Sequence, residues 1–133
     1  MTQKEKPFIS WGAKATVYLK CDKDIYDLTK TLSKGLNLPA FSIETDQDPP
    51  HEYFGICDTL GFRVWIHHEI SVDNFNYVIE IKTSNAFEEM FYDRIYDISI
   101  WFANYISLVC SLESYVYDAE LKQGLTFLNG NTI

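Results

Sequence analysis

The longest apolar-periodic run in the chain is Phe87 to Leu112, FEEMFYDRIYDISIWFANYISLVCSL. Phe87, Phe91, Ile95, Ile98, Phe102, Ile106 and Val109 recur at steps of three and four, which puts them on one face of an α-helix. Asn85 followed by Glu88 fits a capping box, and Glu88 with Glu89 suits the positive end of a helix. From Ile98 onward the run is apolar almost all the way round, so this helix needs cover on more than one side.

Elsewhere the period is two. In Ala13 to Cys21, the residues Ala13, Ala15, Val17, Leu19 and Cys21 alternate with Lys14, Thr16, Tyr18 and Lys20, the signature of a half-buried strand. Asp22 and Asp24 then offer N-caps. Ile25, Leu28 and Leu32 mark a short amphipathic helix, for which Gly35 is a natural stop with Pro39 beyond. Ala40 to Thr45 reads as a short strand. Asp46 to Glu52, DQDPPHE, reads as a loop, because Pro49-Pro50 cannot sit in a central strand. An extended run resumes at Tyr53 to Cys57, and Asp58 to Gly61 turns. Phe62 to Ile70 and Tyr77 to Thr83 both alternate and are joined by VDNFN, which predicts a hairpin. After the long helix, Ser114 to Ala119 is a strand and Leu125 to Leu128 a weaker one.

The order is β-α-β-β-β-β-α-β, without strict βαβ alternation. It predicts an α+β fold: a mixed or mainly antiparallel sheet of about five to six strands with both helices packed on one face. At 133 residues the chain makes one domain, 1–133, with 1–12 as a loosely packed lead-in.

Charge narrows the choice of partners. The formal net charge is −8. Residues 1–39 carry seven lysines and four acids, whereas residues 40–60 carry five acids and no base. Residues 86–121 carry seven acids against Arg94 alone. Free nucleic acid and anionic membranes both need clustered cations, so both are disfavoured; a basic protein is favoured. Three widely spaced cysteines, Cys21, Cys57 and Cys110, without a CxxC predict free thiols in a reducing compartment. The N-terminal MTQKEKPFISWG lacks the apolar core of a signal peptide. The apolar run from Ile98 is shorter than the roughly 20 residues of a membrane span. Together these predict a cytoplasmic protein.

Catalytic and metal chemistry finds little footing. His67 and His68 are strand neighbours and point to opposite faces, so they cannot chelate one ion together. His51, Cys57 and a strand histidine match no usual zinc spacing, and the plainer reading is surface and rim histidines. Cys57, His68 and Asp58 supply the types for a nucleophilic triad, but no nucleophile signature surrounds them. The six glycines form no phosphate-binding pattern, and DQDPPHEYF lacks the glycine and terminal glutamate of an EF-hand. The expectation is no enzyme, no metal and no cofactor.

The aromatic residues are more telling. Tyr92, Tyr96, Trp101, Tyr105, Tyr115 and Tyr117 accompany Asp93, Asp97, Asp118 and Glu120. Rings beside acids suit an interface for a basic partner; the plainer reading is that the rings complete the core around the helix. On a helix, Tyr92 with Tyr96 and Asp93 with Asp97 form adjacent rows off the core face. The predicted partner-binding residues are Glu44, Asp46, Asp48, Tyr92, Asp93, Tyr96, Asp97, Tyr117, Asp118 and Glu120.

The small acidic domain, the loop ETDQDPPHE and the helix EEMFYDRIYD give the chain the character of an immunity protein. It resembles those of bacterial polymorphic-toxin and contact-dependent growth inhibition systems. The resemblance implies a cytoplasmic monomer, or a dimer, that binds a secreted toxin domain and blocks its active site. Such a toxin is often a nuclease, whose phosphate-attracting surface an acidic inhibitor complements. The alternatives are an adaptor or chaperone-like module for a secreted effector, and a small α+β enzyme or ligand-binding domain.

Overall fold

The computed structural model describes residues 12–70, 72–83 and 95–133. Among these, nine strands form one open sheet, backed by two helices. The elements are β1 (Gly12–Lys20), α1 (Ile25–Leu36), β2 (Ser42–Thr45), β3 (Tyr53–Thr59), β4 (Phe62–His68) and β5 (Tyr77–Thr83). There follow β6 (Ile95–Asp97), α2 (Ser99–Val109), β7 (Glu113–Asp118), β8 (Gln123–Leu128) and β9 (Asn131–Thr132). The strand order is β2-β3-β4-β5-β1-β7-β8-β9, and β6 joins β1 as a side branch. Every pairing is antiparallel except β1 with β6.

The fold class agrees with the sequence pattern; the strand count does not. Nine strands stand where five to six are expected: β8 is the run that reads only as a weaker strand, and β6 and β9 have three and two residues. Runs that short carry no period for a pattern to reveal. The long helix is the larger correction. Phe87–Arg94 and the Asn85–Glu88 capping box lie outside the described residues, and Ile95–Asp97 is a strand in register with Gly12–Lys14. Helix begins only at Ser99. The isoleucines at 95 and 98 suit a strand edge as well as a helix face, and pairing with β1 decides between the two.

Where alternation is clean, the elements match. In β1, Ala15, Val17 and Leu19 are buried while Thr16 and Lys20 are exposed. The β4–β5 hairpin pairs seven residues, from Phe62 with Thr83 to His68 with Tyr77. Ile70, expected to extend β4, lies beyond it and is exposed. Leu60 and Gly61, both at positive φ, turn β3 into β4 in the two-residue form that matches strand twist.

Asp24 caps α1 by accepting the Asp27 N–H at 2.9 Å. The helix does not stop at Gly35. It runs to Leu36, and left-handed Asn37 ends it, the Ser33 carbonyl accepting from Asn37 and Leu38. Gly35 serves close approach instead: a Cβ there would strike Cys110 Sγ at the end of α2.

Both helices bury into one core. Ile25, Leu28 and Leu32 of α1 and Phe102, Ala103 and Ile106 of α2 meet the inward row of Val17, Leu19, Ile66, Ile79, Val116 and Phe127. The sheet and α1 thus cover two sides of α2. A third side carries Ile100, Trp101, Tyr105 and Leu108, all exposed.

Truncating Phe102 to Ala should cost about 3–5 kcal/mol in chemical denaturation, since the ring is buried between helix and sheet. Burial pushes the Cys110 thiol up to about 11. The folded state therefore holds that proton more tightly than the unfolded state. Its contribution to stability is complete below the ordinary thiol range and is lost as pH rises through about 11. Denaturation midpoints compared between pH 8 and pH 11 should fall more steeply in the wild type than in Cys110→Ala, where Cys57 and Tyr77, also pushed up by burial, still contribute.

Candidate functional site

A strand inside a sheet must satisfy its backbone groups on both edges. One edge of β1 pairs with β5 from Lys14–Lys82 to Leu19–Tyr77. The other edge is divided. β6 takes Gly12–Lys14 in parallel, and β7 takes Tyr18–Lys20 antiparallel. Between them stands the start of α2. The Ile98 N–H donates to the Lys14 carbonyl at 2.8 Å, and the Thr16 N–H donates to Ser99 Oγ at 2.9 Å. Ser99 Oγ in turn donates to Asp97 Oδ1 at 2.6 Å, and the same oxygen accepts the Ser99 N–H at 2.9 Å. A buried serine hydroxyl thus replaces a strand partner and donates its own hydrogen bond to the carboxylate that turns the chain into the helix.

The insertion drives β7 away from β1. The register Tyr18–Tyr115 would continue to Thr16–Tyr117, but the ladder ends at Tyr18–Tyr115. What opens is a groove of about 850 Å³. Tyr96, Asp97, Ile100 and Trp101 line it from β6 and α2, and Tyr117, Asp118 and Glu120 line it from β7 and the turn after it. Among the described residues that line it, none is Lys or Arg. Asp118 shapes that turn, its Oδ1 accepting from Glu120 N–H at 3.0 Å and Leu121 N–H at 3.3 Å. Trp101, Tyr96 and Tyr117 are each more than half exposed, and Trp101 stacks on Tyr105 at 5.2 Å and 9°.

Of the predicted partner-binding residues, Tyr96, Asp97, Tyr117, Asp118 and Glu120 converge on this groove. Tyr96 and Asp97 reach it from a strand, not from a helical row. Tyr92 and Asp93 lie outside the described residues. Glu44, Asp46 and Asp48 sit on β2 and the loop after it, at the far edge of the sheet. Five strand steps separate β2 from β7, roughly 20–25 Å at normal spacing. Two of these acids have local bonds: Asp46 Oδ1 accepts the Asp48 N–H at 3.0 Å, and Glu44 accepts the Ser42 hydroxyl at 3.4 Å. The two acidic stretches therefore form two surfaces. Basic side chains gather on a third, since the register sets Arg63, Lys82 and Lys14 side by side across β4, β5 and β1.

The histidines are dispersed. His51 Nδ1 lies 3.1 Å from the Asp46 carbonyl, His67 Nε2 lies 3.4 Å from Glu80, and His68 meets the Tyr77 ring edge-on at 4.5 Å. Among the described residues no three His, Cys, Asp or Glu side chains gather to hold a metal ion. Cys57 is buried, and burial first, then Asp58, pushes its thiol up, away from the thiolate a nucleophile needs.

Sequence reasoning missed Thr16, Ile100 and Ser99 as parts of the groove. One signal was available: Asp97 directly precedes the apolar run and Ser99 stands at its start, and both are residues that start helices. Among the described residues no helix is long and apolar enough to cross a membrane. Comparison with family models, with curated proteins and with solved structures finds no match.

Ser99→Ala leaves the Thr16 N–H without its acceptor. A loss of about 1–3 kcal/mol is expected in urea denaturation, with faster hydrogen exchange at Thr16. A change below about 0.5 kcal/mol would mean the hydroxyl does not hold the split edge.

Proposed function

We propose that this chain is an immunity protein: a non-catalytic, cytoplasmic inhibitor that binds the basic surface of a secreted bacterial toxin domain and blocks its active site. A nuclease is the toxin class whose surface chemistry fits best. The observation that carries the reading is the groove between β6 and β7, where Asp97, Asp118 and Glu120 lie among exposed rings with no cation among the described lining residues. Exposed tyrosine and tryptophan supply contact area at small entropic cost, and carboxylates around them steer and orient a basic partner. A protein that must bind phosphodiesters is positively charged where it does so, which makes an acidic groove its complement.

A second reading, an adaptor or chaperone for a secreted effector, draws on the exposed side of α2. Ile100, Trp101 and Leu108 form a stripe suited to an apolar segment of a client. An inhibitor forms a 1:1, salt-sensitive complex. A chaperone for an unfolded client holds an extended chain and is less sensitive to salt.

Co-expression with the protein encoded beside this chain tests the proposal. Relief of toxicity with co-purification supports it; neither effect, with the chain folded and expressed, removes it. With that partner in hand, Glu120→Lys should slow association, and the effect should shrink as salt rises. Reversal of Glu44 and Asp48 at the far edge should leave affinity within a factor of about two, because exposed charges that distant are screened. The opposite ranking would move the interface to β2.

A further inference from the structure

We infer that the groove between β6 and β7 is an anchor pocket for one arginine side chain of the partner; this rests on the binding reading above and names the chemistry of its central contact. Three features point to guanidinium. The first is that the carboxylates are held in place before anything binds. Asp97 Oδ1 is fixed by the Ser99 N–H and hydroxyl, and Asp118 Oδ1 by the N–H groups of Glu120 and Leu121. The Oδ2 atom of each takes no part in these bonds, so a partner meets acceptors whose side-chain entropy is already spent.

The second feature is main-chain. Thr16 and Tyr18 turn their backbone groups to the same side of β1, the side away from β5. Tyr18 finds Tyr115 there. At Thr16 the N–H finds Ser99, and the ladder that would bring Tyr117 N–H to the Thr16 carbonyl has already ended. That carbonyl therefore faces the groove beside the carboxylates. Guanidinium carries five N–H donors and no acceptor, so a cleft edged with carboxylate and carbonyl oxygens matches it; a phosphate or a nucleic acid would meet carboxylates of its own sign.

The third feature separates arginine from lysine. The Trp101 indole is oriented by its stack on Tyr105, yet 60% of the residue stays exposed, and Tyr117 faces the groove from β7 with 56% exposed. A planar guanidinium can lie flat against such a ring while its edge reaches the carboxylates in a bidentate pair; a compact ammonium stacks less well and offers no such edge. Lys14 stands in register with Asp97 but does not line the groove, where Asp118 and Glu120 add two further carboxylates.

The test needs no partner. The full chain, labelled with nitrogen-15, is titrated with N-acetyl-Gly-Arg-Gly-amide and with the Lys and Gln peptides of the same form. The Arg peptide should give saturable shifts at the Trp101 indole N–H and at the Tyr117 and Glu120 amides, binding at least about fivefold tighter than the Lys peptide. The Gln peptide should give none. In Asp118→Asn with Glu120→Gln the shifts should vanish while the rest of the spectrum stays in place, because asparagine keeps the Oδ1 that caps the turn. Trp101→Leu should bring the Arg and Lys peptides to equal affinity. Shifts without saturation, equal response to Arg and Lys in the wild type, or shifts centred on Glu44 and Asp46 would each overturn the inference. Should the neighbouring protein still co-purify and be neutralised in that case, the pocket assignment falls and the inhibitor reading stands. Arginine binding without any such partner would leave the pocket and remove the toxin.

Discussion

The contact on which this structure turns is the one between the Thr16 N–H and the Ser99 hydroxyl, 83 residues apart in the chain. A central strand with an unsatisfied N–H would lose the desolvation energy of that group, of the order of 1–3 kcal/mol. β1 avoids this without a continuous neighbour. It has β6 at one end, β7 at the other and a side chain between. The hydroxyl is held by Asp97, whose carboxylate also receives the Ser99 N–H, so one acid both starts α2 and completes the sheet. Because the serine comes from the first residue of α2, the helix is pinned at the split, and the groove opens beside it.

The position of α2 follows from two further constraints. Its inner side must bury Phe102 and Ile106 against β1, β7 and β8, and its flank must meet α1, where Gly35 makes room for Cys110. With those sides used, nothing among the described residues covers Ile100, Trp101 and Leu108. Exposed rings and aliphatics in this number are unusual on a surface without a partner, and here they adjoin the acids of the groove. The apolar excess of the helix and the acidic charge of the chain meet at one place.

That convergence bears on the choice among binding modes. Acids spread evenly over the surface would serve solubility and slow, unspecific attraction. Acids at β2 and acids at β7 lie on separate edges, so one small partner surface cannot engage both centrally. The β7 group has the aromatic neighbours that make contacts strong. The β2 group belongs to a loop that bonds to itself, with Asp46 N–H donating to the Glu52 carbonyl and His51 N–H to the Asp48 carbonyl. The two groups therefore have different physical work, although their composition is the same.

Much of this was legible in the residues themselves. Alternation in β1, β4 and β5 reports a sheet with one buried face, because side chains on a strand must alternate whatever they pack against. The α1 helix follows from Asp24 and the spacing of Ile25, Leu28 and Leu32. The acids and rings of 96–97 and 117–120 were identifiable as surface chemistry from type and charge alone. Tertiary structure decided the rest. Ile95 to Ile98 fits a helix or a strand equally by local pattern, and only the open edge of β1, 83 positions earlier, selects the strand. Gly35 looks like a stop until a second helix requires its missing side chain. Above all, the groove exists because two strands compete for one edge and a serine fills the gap between them. No local period encodes that arrangement, since it depends on backbone groups that meet only after the chain has folded.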